Sequence, residues 1–175
     1  MARLPFVDAS TPGVDAQLVD DVQRRRGGSL LNLDRLLLHS APIARGWNGY
    51  FAAIRGGGVL DGALRELLIL QVAVLNRAPY EFAQHQDVAL AEGVTQAQVD
   101  AVGEWRSSGL FTPAQRAALA YAEAMTLQVQ VPKPLFDALR GHFSDREVVE
   151  LTATVAAYNM VSRFLEALQI EVEAG

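Results

Sequence analysis

Two glutamates and a histidine stand close together in this 175-residue sequence. Glu81 and His85 are four residues apart, so on a helix their side chains lie on one face. Glu66 belongs to the apolar segment that precedes them. Two carboxylates beside a histidine can take up and release a proton near neutral pH. The residue types and their spacing therefore predict acid–base chemistry by Glu66, Glu81 and His85.

Two consecutive helices would bring these three side chains together. The first is expected to end near Asn76, and Pro79 is suited to the first turn of the second. So short a turn makes the two helices antiparallel neighbours. Glu66 lies ~15 Å before the turn and His85 a comparable distance after it, so we expect the two side chains to meet.

Arginine and tyrosine side chains beside this group could hold an anionic substrate. Guanidinium groups bind carboxylates through paired hydrogen bonds. We expect Arg65 to bind a substrate carboxylate, with Arg77 as the alternative, and Tyr80 to contact the substrate at the border of the Glu81–His85 face.

Less specific interpretations apply to the same residues. A Glu–His pair one helical turn apart is commonly a surface pair worth about 0.2–0.5 kcal/mol. A metal site made by Glu66, Glu81 and His85 would lack a fourth ligand and the Glu-x-x-His spacing of di-iron bundles. We therefore expect neither a metal nor a cofactor.

The whole chain has the pattern of an all-helical protein. Signals for helix starts occur at Thr95, Thr112 and Ser144, and we predict about eight or nine helices. Arg65-Glu66-Leu67-Leu68 resembles Arg146-Glu147-Val148-Val149, and each opens an apolar helix. This similarity leaves open the duplication of a helical hairpin.

The final helix predicts self-association. Its apolar residues lie on more than one face, and a chain of this length has limited interior to cover both. Large exposed apolar patches usually mark interfaces, so we expect a homo-oligomer. The residues concerned are Val148, Leu151 and Val155 on one face and Val161, Leu165 and Leu168 on another.

Composition argues against several functional classes. A net charge of −5 and scattered basic residues disfavour nucleic acid as a partner. The absence of cysteine excludes disulfides and thiol redox chemistry. The most apolar stretch, residues 67–75, is far shorter than the ~20 residues of a membrane span, and the first residues lack a signal peptide's apolar run. We expect a cytoplasmic protein without membrane or nucleic-acid partners.

Three segments resemble the carboxymuconolactone decarboxylase family, whose superfamily also contains the alkylhydroperoxidase-like proteins. They are Arg65-Glu66-Leu67, Tyr80-Glu81-Phe82-Ala83-Gln84-His85 and Ala89-Leu90-Ala91-Glu92-Gly93-Val94. The resemblance implies an alkylhydroperoxidase-like helical bundle that forms trimers or hexamers, with its active site near a subunit contact. It assigns residues 1–175 to one such domain, with an N-terminal helical extension at 1–35 and a core at 36–172.

The missing cysteines distinguish two branches of this superfamily. In the peroxidase branch a Cys-x-x-Cys pair precedes the histidine, whereas Ala78 and Glu81 occupy those positions here. A chain without thiols cannot reduce peroxide by forming a disulfide. The resemblance thus implies the cysteine-less, decarboxylase-like branch, with Glu66 and His85 handling protons and Glu81 in place of a cysteine.

The expected function is that of a carboxy-lyase acting on a small carboxylated lactone or a related ring acid. Loss of CO₂ beside a conjugated lactone yields a dienolate, which needs a group to hold its charge and an acid to return a proton. Two alternatives stay open. One is another proton-transfer enzyme or a hydrolase on the same scaffold. The other is a non-enzymatic helical oligomer descended from thiol peroxidases.

Overall fold

A computed structural model of the chain describes residues 2–173, so the two ends of the predicted 1–175 domain lie outside the described residues. Within that range the protein has nine α-helices, one 3-10 turn at Val102–Glu104 and no strand, which confirms the predicted all-α fold. The helices are α1 Ala16–Arg26, α2 Asn32–Leu37, α3 Ala41–Gly56, α4 Gly62–Asn76, α5 Pro79–Ala91, α6 Gln96–Ala101, α7 Pro113–Gln128, α8 Lys133–Arg140 and α9 Asp145–Leu168.

The described chain divides into two compact units. The first contains α1, α2 and α3 together with residues 167–173; in it, the buried Asp34 forms ion pairs with Arg25 and Arg26. The second runs from Gly58 to Glu166 and contains all five residues predicted to form the site. The assignment to one domain with an extension at 1–35 stays a prediction.

Helix α4 is the most deeply buried helix segment of the second unit. The Asp61 carboxylate accepts a hydrogen bond from the Leu64 amide at 2.9 Å and so caps the helix start. Every residue from Leu64 to Ala73 is buried, as expected for a helix that is apolar around most of its circumference. Helices α5 and α7 pack against it.

A tight turn joins α4 to α5. Arg77 adopts a left-handed conformation with φ 54°, and the Ala78 amide donates to the Ala73 carbonyl at 2.9 Å. Pro79 is the first residue of α5, where its missing N–H costs nothing. From α9, Asn159 accepts a hydrogen bond from the Asn76 side chain at 3.0 Å, which links α9 to the end of α4.

The apolar faces of α9 are largely covered within the chain. Five of the six residues from which self-association was predicted are buried, and Leu168 is partly buried. Those faces therefore do not supply the exposed surface on which that prediction rested, and the oligomer itself stays a prediction. No helix in residues 2–173 is long and apolar enough to cross a membrane.

Candidate active site

Glu66 and His85 meet between α4 and α5, as the sequence predicted. His85 Nδ1 lies 2.7 Å from Glu66 Oε2. Glu66 is 1% exposed and His85 is 8% exposed, so solvent hardly competes for this hydrogen bond. The pair has the form in which a carboxylate fixes an imidazole ring and stabilises its protonated state.

Arg65 extends this pair into a network of charges. Its Nε donates to Glu66 Oε1 at 3.1 Å, and its Nη2 donates to Glu92 Oε1 at 3.1 Å. Burial raises the pKa of Glu66, but the hydrogen bonds and charges of His85 and Arg65 together outweigh it and hold that pKa below its usual value. Arg65 thus binds two carboxylates of the protein itself, and its role toward a substrate stays a prediction.

Glu81 occupies a different environment, although it is also only 1% exposed. Its Oε2 is hydrogen-bonded to the hydroxyl of Ser162 in α9, while its Oε1 has no hydrogen-bond partner within residues 2–173. Burial raises the pKa of Glu81 to about 8, against a smaller lowering by the Ser162 hydrogen bond. This carboxyl group is therefore mostly neutral at pH 7.

The two contacts of the Ser162 hydroxyl fit a neutral Glu81. The Ser162 hydroxyl contacts Glu81 Oε2 and also lies 2.9 Å from the Tyr158 carbonyl oxygen, yet it has a single hydrogen to donate. When Glu81 is protonated, its O–H donates to Ser162 Oγ and the Ser162 hydroxyl donates to Tyr158. Both contacts are then hydrogen bonds at once.

Tyr158 and Ser162 are the site residues that the sequence analysis missed. The ring of Tyr158 packs edge-on against His85, with 5.0 Å between ring centroids and 90° between ring planes. Tyr158 and Ser162 lie one turn apart on α9. This four-residue spacing, which places them on one face of a helix, was the only feature of the sequence that could have linked them. Tyr80 is buried at 3% exposure, and its contact with a substrate stays a prediction.

A cavity of about 520 Å³ lies beside the α4–α5 turn. Its polar lining residues are Arg77 and Gln86, and Glu66, Glu81 and His85 do not line it. Its apolar lining consists of Ala73, Val74, Ala78, Pro79, Phe82 and Ala83. In the described part of the chain, no group of three or more His, Asp or Glu residues could hold a metal ion.

The family model of the carboxymuconolactone decarboxylase family matches residues 41–124. This range contains Arg65, Glu66, Tyr80, Glu81 and His85. The match confirms the sequence resemblance over just under half of the chain, and the chain has no cysteine.

A curated relative is the uncharacterized protein YnjA of Escherichia coli (strain K12). It is 39% identical over 77 residues, which are 42% of this chain and 41% of YnjA. The chain thus matches less than half the length of this relative, and the match carries no information on activity.

Solved structures confirm the alkylhydroperoxidase-like fold. An uncharacterized peroxidase-related protein from Ralstonia eutropha JMP134, described as an AhpD alkylhydroperoxidase core, has a TM-score of 0.85 at 20% identity, covering 98% of this chain and 92% of that one. A variant of the debrominase Bmp8 in complex with 2,3,4-tribromopyrrole has a TM-score of 0.82 at 23% identity, covering 99% and 91%. At these identities the likeness concerns the fold alone.

Proposed function

We propose that this chain is a decarboxylase-like lyase that acts on a small carboxylated lactone or related ring acid. The observation that carries the proposal is the contrast between two buried carboxyl groups: the pKa of Glu66 is lowered and that of Glu81 is raised to about 8. Enzymes that combine acid and base chemistry at one pH place titratable groups in environments that separate their pKa values. Glu66 and Glu81 have such environments on consecutive helices.

The proposed reaction uses His85 as the proton donor. The bond between the ring carbon and its carboxylate breaks, CO₂ leaves, and the electron pair stays in the ring as a dienolate. His85, protonated and held by Glu66, offsets the developing negative charge and then returns a proton to carbon. Water reprotonates His85, so no oxidant or reductant is needed.

Glu81 contributes by staying neutral. A second carboxylate near the dienolate would repel its charge, whereas a carboxylic acid leaves the positive charge of His85 uncompensated on that side. Burial keeps Glu81 neutral against the smaller opposing effect of the Ser162 hydrogen bond, and the Ser162 hydroxyl can accept a hydrogen bond from the protonated acid.

Glutamine substitutions test these roles. His85→Gln and Glu66→Gln should each lower turnover by ~10²–10⁴-fold, the usual contribution of a general acid–base group. The double variant should be scarcely worse than either, since members of one catalytic unit are not additive. Glu81→Gln preserves a neutral side chain of the same shape and should retain most turnover. The assay starts with carboxymuconolactone and continues with related lactone acids.

Glu147→Gln is the matched control, because Glu147 follows an arginine at the start of α9 as Glu66 does near the start of α4. It should leave turnover unchanged. Near-full activity of His85→Gln on any substrate that the wild-type protein converts would place the chemistry elsewhere.

The proposal includes a closed homo-oligomer, a trimer or a hexamer, in the cytoplasm. Two large apolar side chains of α9 support assembly, since Val149 is 67% and Met160 42% exposed. The lack of cysteine fits a reducing compartment. Light scattering at micromolar concentration should give a multiple of the 19.0 kDa chain mass, and a particle of that mass alone would contradict the assembly.

A further inference from the structure

We propose that the cavity beside the α4–α5 turn binds a small planar organic anion, with the anionic group on Arg77 and the apolar body against Phe82. This inference deepens the proposed function, on which it rests for the identification of the ligand as substrate. The cavity volume of about 520 Å³ lies within the roughly 300–1,000 Å³ of small-molecule sites.

Arg77 is the cation of this cavity, and its charge is not used elsewhere. Its side chain is exposed and has no ion-pair or hydrogen-bond partner among residues 2–173, whereas Arg65 already contacts Glu66 and Glu92. The Arg77 backbone is fixed, because its amide donates to the Val74 carbonyl at 3.1 Å. Of the two arginines that the sequence offered for a carboxylate, the structure favours Arg77.

The start of α5 adds positive potential at the same end of the cavity. Ala78 and Pro79 line the cavity, and Ala78, the residue before the helix, has no side-chain acceptor for the first amides. The helix N-terminus therefore keeps its partial positive charge. Glu81 is the acidic residue of that first turn, and in its neutral form it does not cancel this charge.

The remaining lining defines the rest of the ligand. No lining residue is acidic, and apart from Arg77 only Gln86 is polar. Small side chains such as Ala73 and Ala83 leave room beside the ring of Phe82, so a flat apolar body fits better than a sugar or a phosphate chain. A ring acid has the required combination of one anionic group and a compact apolar body.

The cavity lies on a neighbouring face of α5, since Phe82, Ala83 and Gln86 line it and Glu81 and His85 do not. Ala78 lies three residues before Glu81 and seven before His85, and these intervals keep the three residues on one side of a helix. Ala78 is therefore the lining residue nearest the Glu81–His85 face, and competition with a converted substrate decides whether a ligand held at Arg77 is the substrate.

Calorimetric titration with benzoate and with benzamide, its neutral analogue, tests the site on the full chain. Benzoate should bind, and benzamide should bind about 10- to 100-fold more weakly, the range expected for a charge-assisted hydrogen bond. Arg77→Gln should weaken benzoate binding by the same factor, while Arg77→Lys should retain part of it. Ala83→Phe should abolish binding by filling the cavity, with circular dichroism to confirm that the variant folds.

The control is Arg24→Gln, which removes the same charge from an arginine whose side chain is 74% exposed, and it should leave benzoate binding unchanged. Equal affinity for benzoate and benzamide, or equal losses in Arg24→Gln and Arg77→Gln, would overturn the proposal. So would absence of benzoate binding together with a change of oligomeric state in Arg77→Gln, since a second copy of the chain would then cover the cavity.

The anion site and the proposed function can fail separately. Benzoate binding that depends on Arg77 but persists in His85→Gln, with no lactone acid converted, supports the site and contradicts the proposed function. Turnover that requires His85 but is unchanged in Arg77→Gln supports the function and contradicts the site. Competition between benzoate and a converted substrate would identify the bound anion as substrate, whereas activation or non-competitive inhibition would identify it as an effector.

Discussion

Glu66 and Glu81 are equally buried, yet their surroundings favour opposite protonation states. Around Glu66, the side chains of Arg65 and His85 bring positive charge and N–H donors to both carboxylate oxygens. Around Glu81, one oxygen contacts the neutral hydroxyl of Ser162, and the second oxygen has no hydrogen-bond partner in the described range. The comparison shows that burial alone does not fix the charge of a carboxyl group, because its partners decide whether the desolvation penalty is overcome.

The same substitution should therefore have different consequences at the two positions. Glutamine has nearly the shape of a protonated glutamic acid and offers both a donor and an acceptor, but it cannot carry negative charge. At Glu66 it removes the charge that Arg65 and His85 require. At Glu81 it reproduces the neutral state that the surroundings favour.

The largest effect on stability is expected for Glu66→Gln. Removing one partner of a buried ion pair commonly costs about 3 kcal/mol or more of the free energy of unfolding, because the other partner stays buried without compensation. The pKa of Glu66 is lowered from 4.5, so its contribution is present above that value and is lost as the pH falls through the folded-state pKa. Urea unfolding at pH 7 and at successively lower pH should show a penalty that shrinks toward acid.

Glu147→Gln is again the control for this measurement. Glu147 pairs with the backbone amide and hydroxyl of Ser144 at the start of α9, and a glutamine can make the same hydrogen bonds. Glu147→Gln should change the free energy of unfolding by no more than about 0.5 kcal/mol. A penalty for Glu66→Gln that is equally small, or that grows toward acid, would contradict an ionised Glu66.

Glu81→Gln should have a smaller effect of opposite sign. The pKa of Glu81 is raised from 4.5 to about 8, so between these values the unfolded chain loses a proton that the folded protein keeps. The stabilisation from Glu81 is complete below pH 4.5 and is lost as the pH rises through 8, at up to about 1.4 kcal/mol per pH unit. The free energy of unfolding of the variant lacks this dependence on pH. Relative to wild type, the variant should therefore become more stable by about 2 kcal/mol between pH 6 and pH 8.

Urea unfolding of both proteins at pH 5, 6, 7 and 8 measures this difference. Parallel pH profiles for wild type and Glu81→Gln would show that Glu81 has the same protonation state in the folded and unfolded protein. That result would leave the contrast with Glu66 without support.

The sequence predicted the contact between Glu66 and His85, but it did not predict which residues surround Glu81. The contact between Glu66 and His85 follows from a short turn between two helices, which is local information. Ser162 and Tyr158 reach the site from α9, and no local rule states which helix packs against α5. The sequence therefore gave no means of predicting that Glu81 has a neutral hydroxyl beside it.

The error about α9 has a related cause. The pattern of Val148 and Val161 correctly indicated apolar faces, but their burial depends on how many neighbouring helices surround α9. The periodicity of apolar residues within one helix does not indicate how many other helices pack around it. Arg77 was only the second choice for an anion because the ion pair of Arg65 with Glu92, 27 residues away, is a tertiary contact as well.

The smallest expected effect is that of Ser162→Ala, which tests the partner of Glu81 directly. Loss of one neutral hydrogen bond to a buried carboxylic acid should cost about 1 kcal/mol. Because the Ser162 hydrogen bond lowers the pKa of Glu81, its removal should raise that pKa further. Infrared spectroscopy can follow the carbonyl band of the protonated acid, with Glu81→Gln as the reference that lacks it, and the titration midpoint of this band should move to higher pH in Ser162→Ala.

Thr154→Val provides the matched comparison for that experiment. The Thr154 hydroxyl is equally buried on α9 and donates to the Glu150 carbonyl one turn back at 2.8 Å, as Ser162 does to Tyr158. Thr154→Val should therefore reproduce the loss of the bond to the helix backbone and leave the infrared titration of Glu81 unchanged. If Ser162→Ala also left that midpoint in place, the Ser162 hydroxyl would not lower the pKa of Glu81, and it would have no part in the difference between the two carboxyl groups.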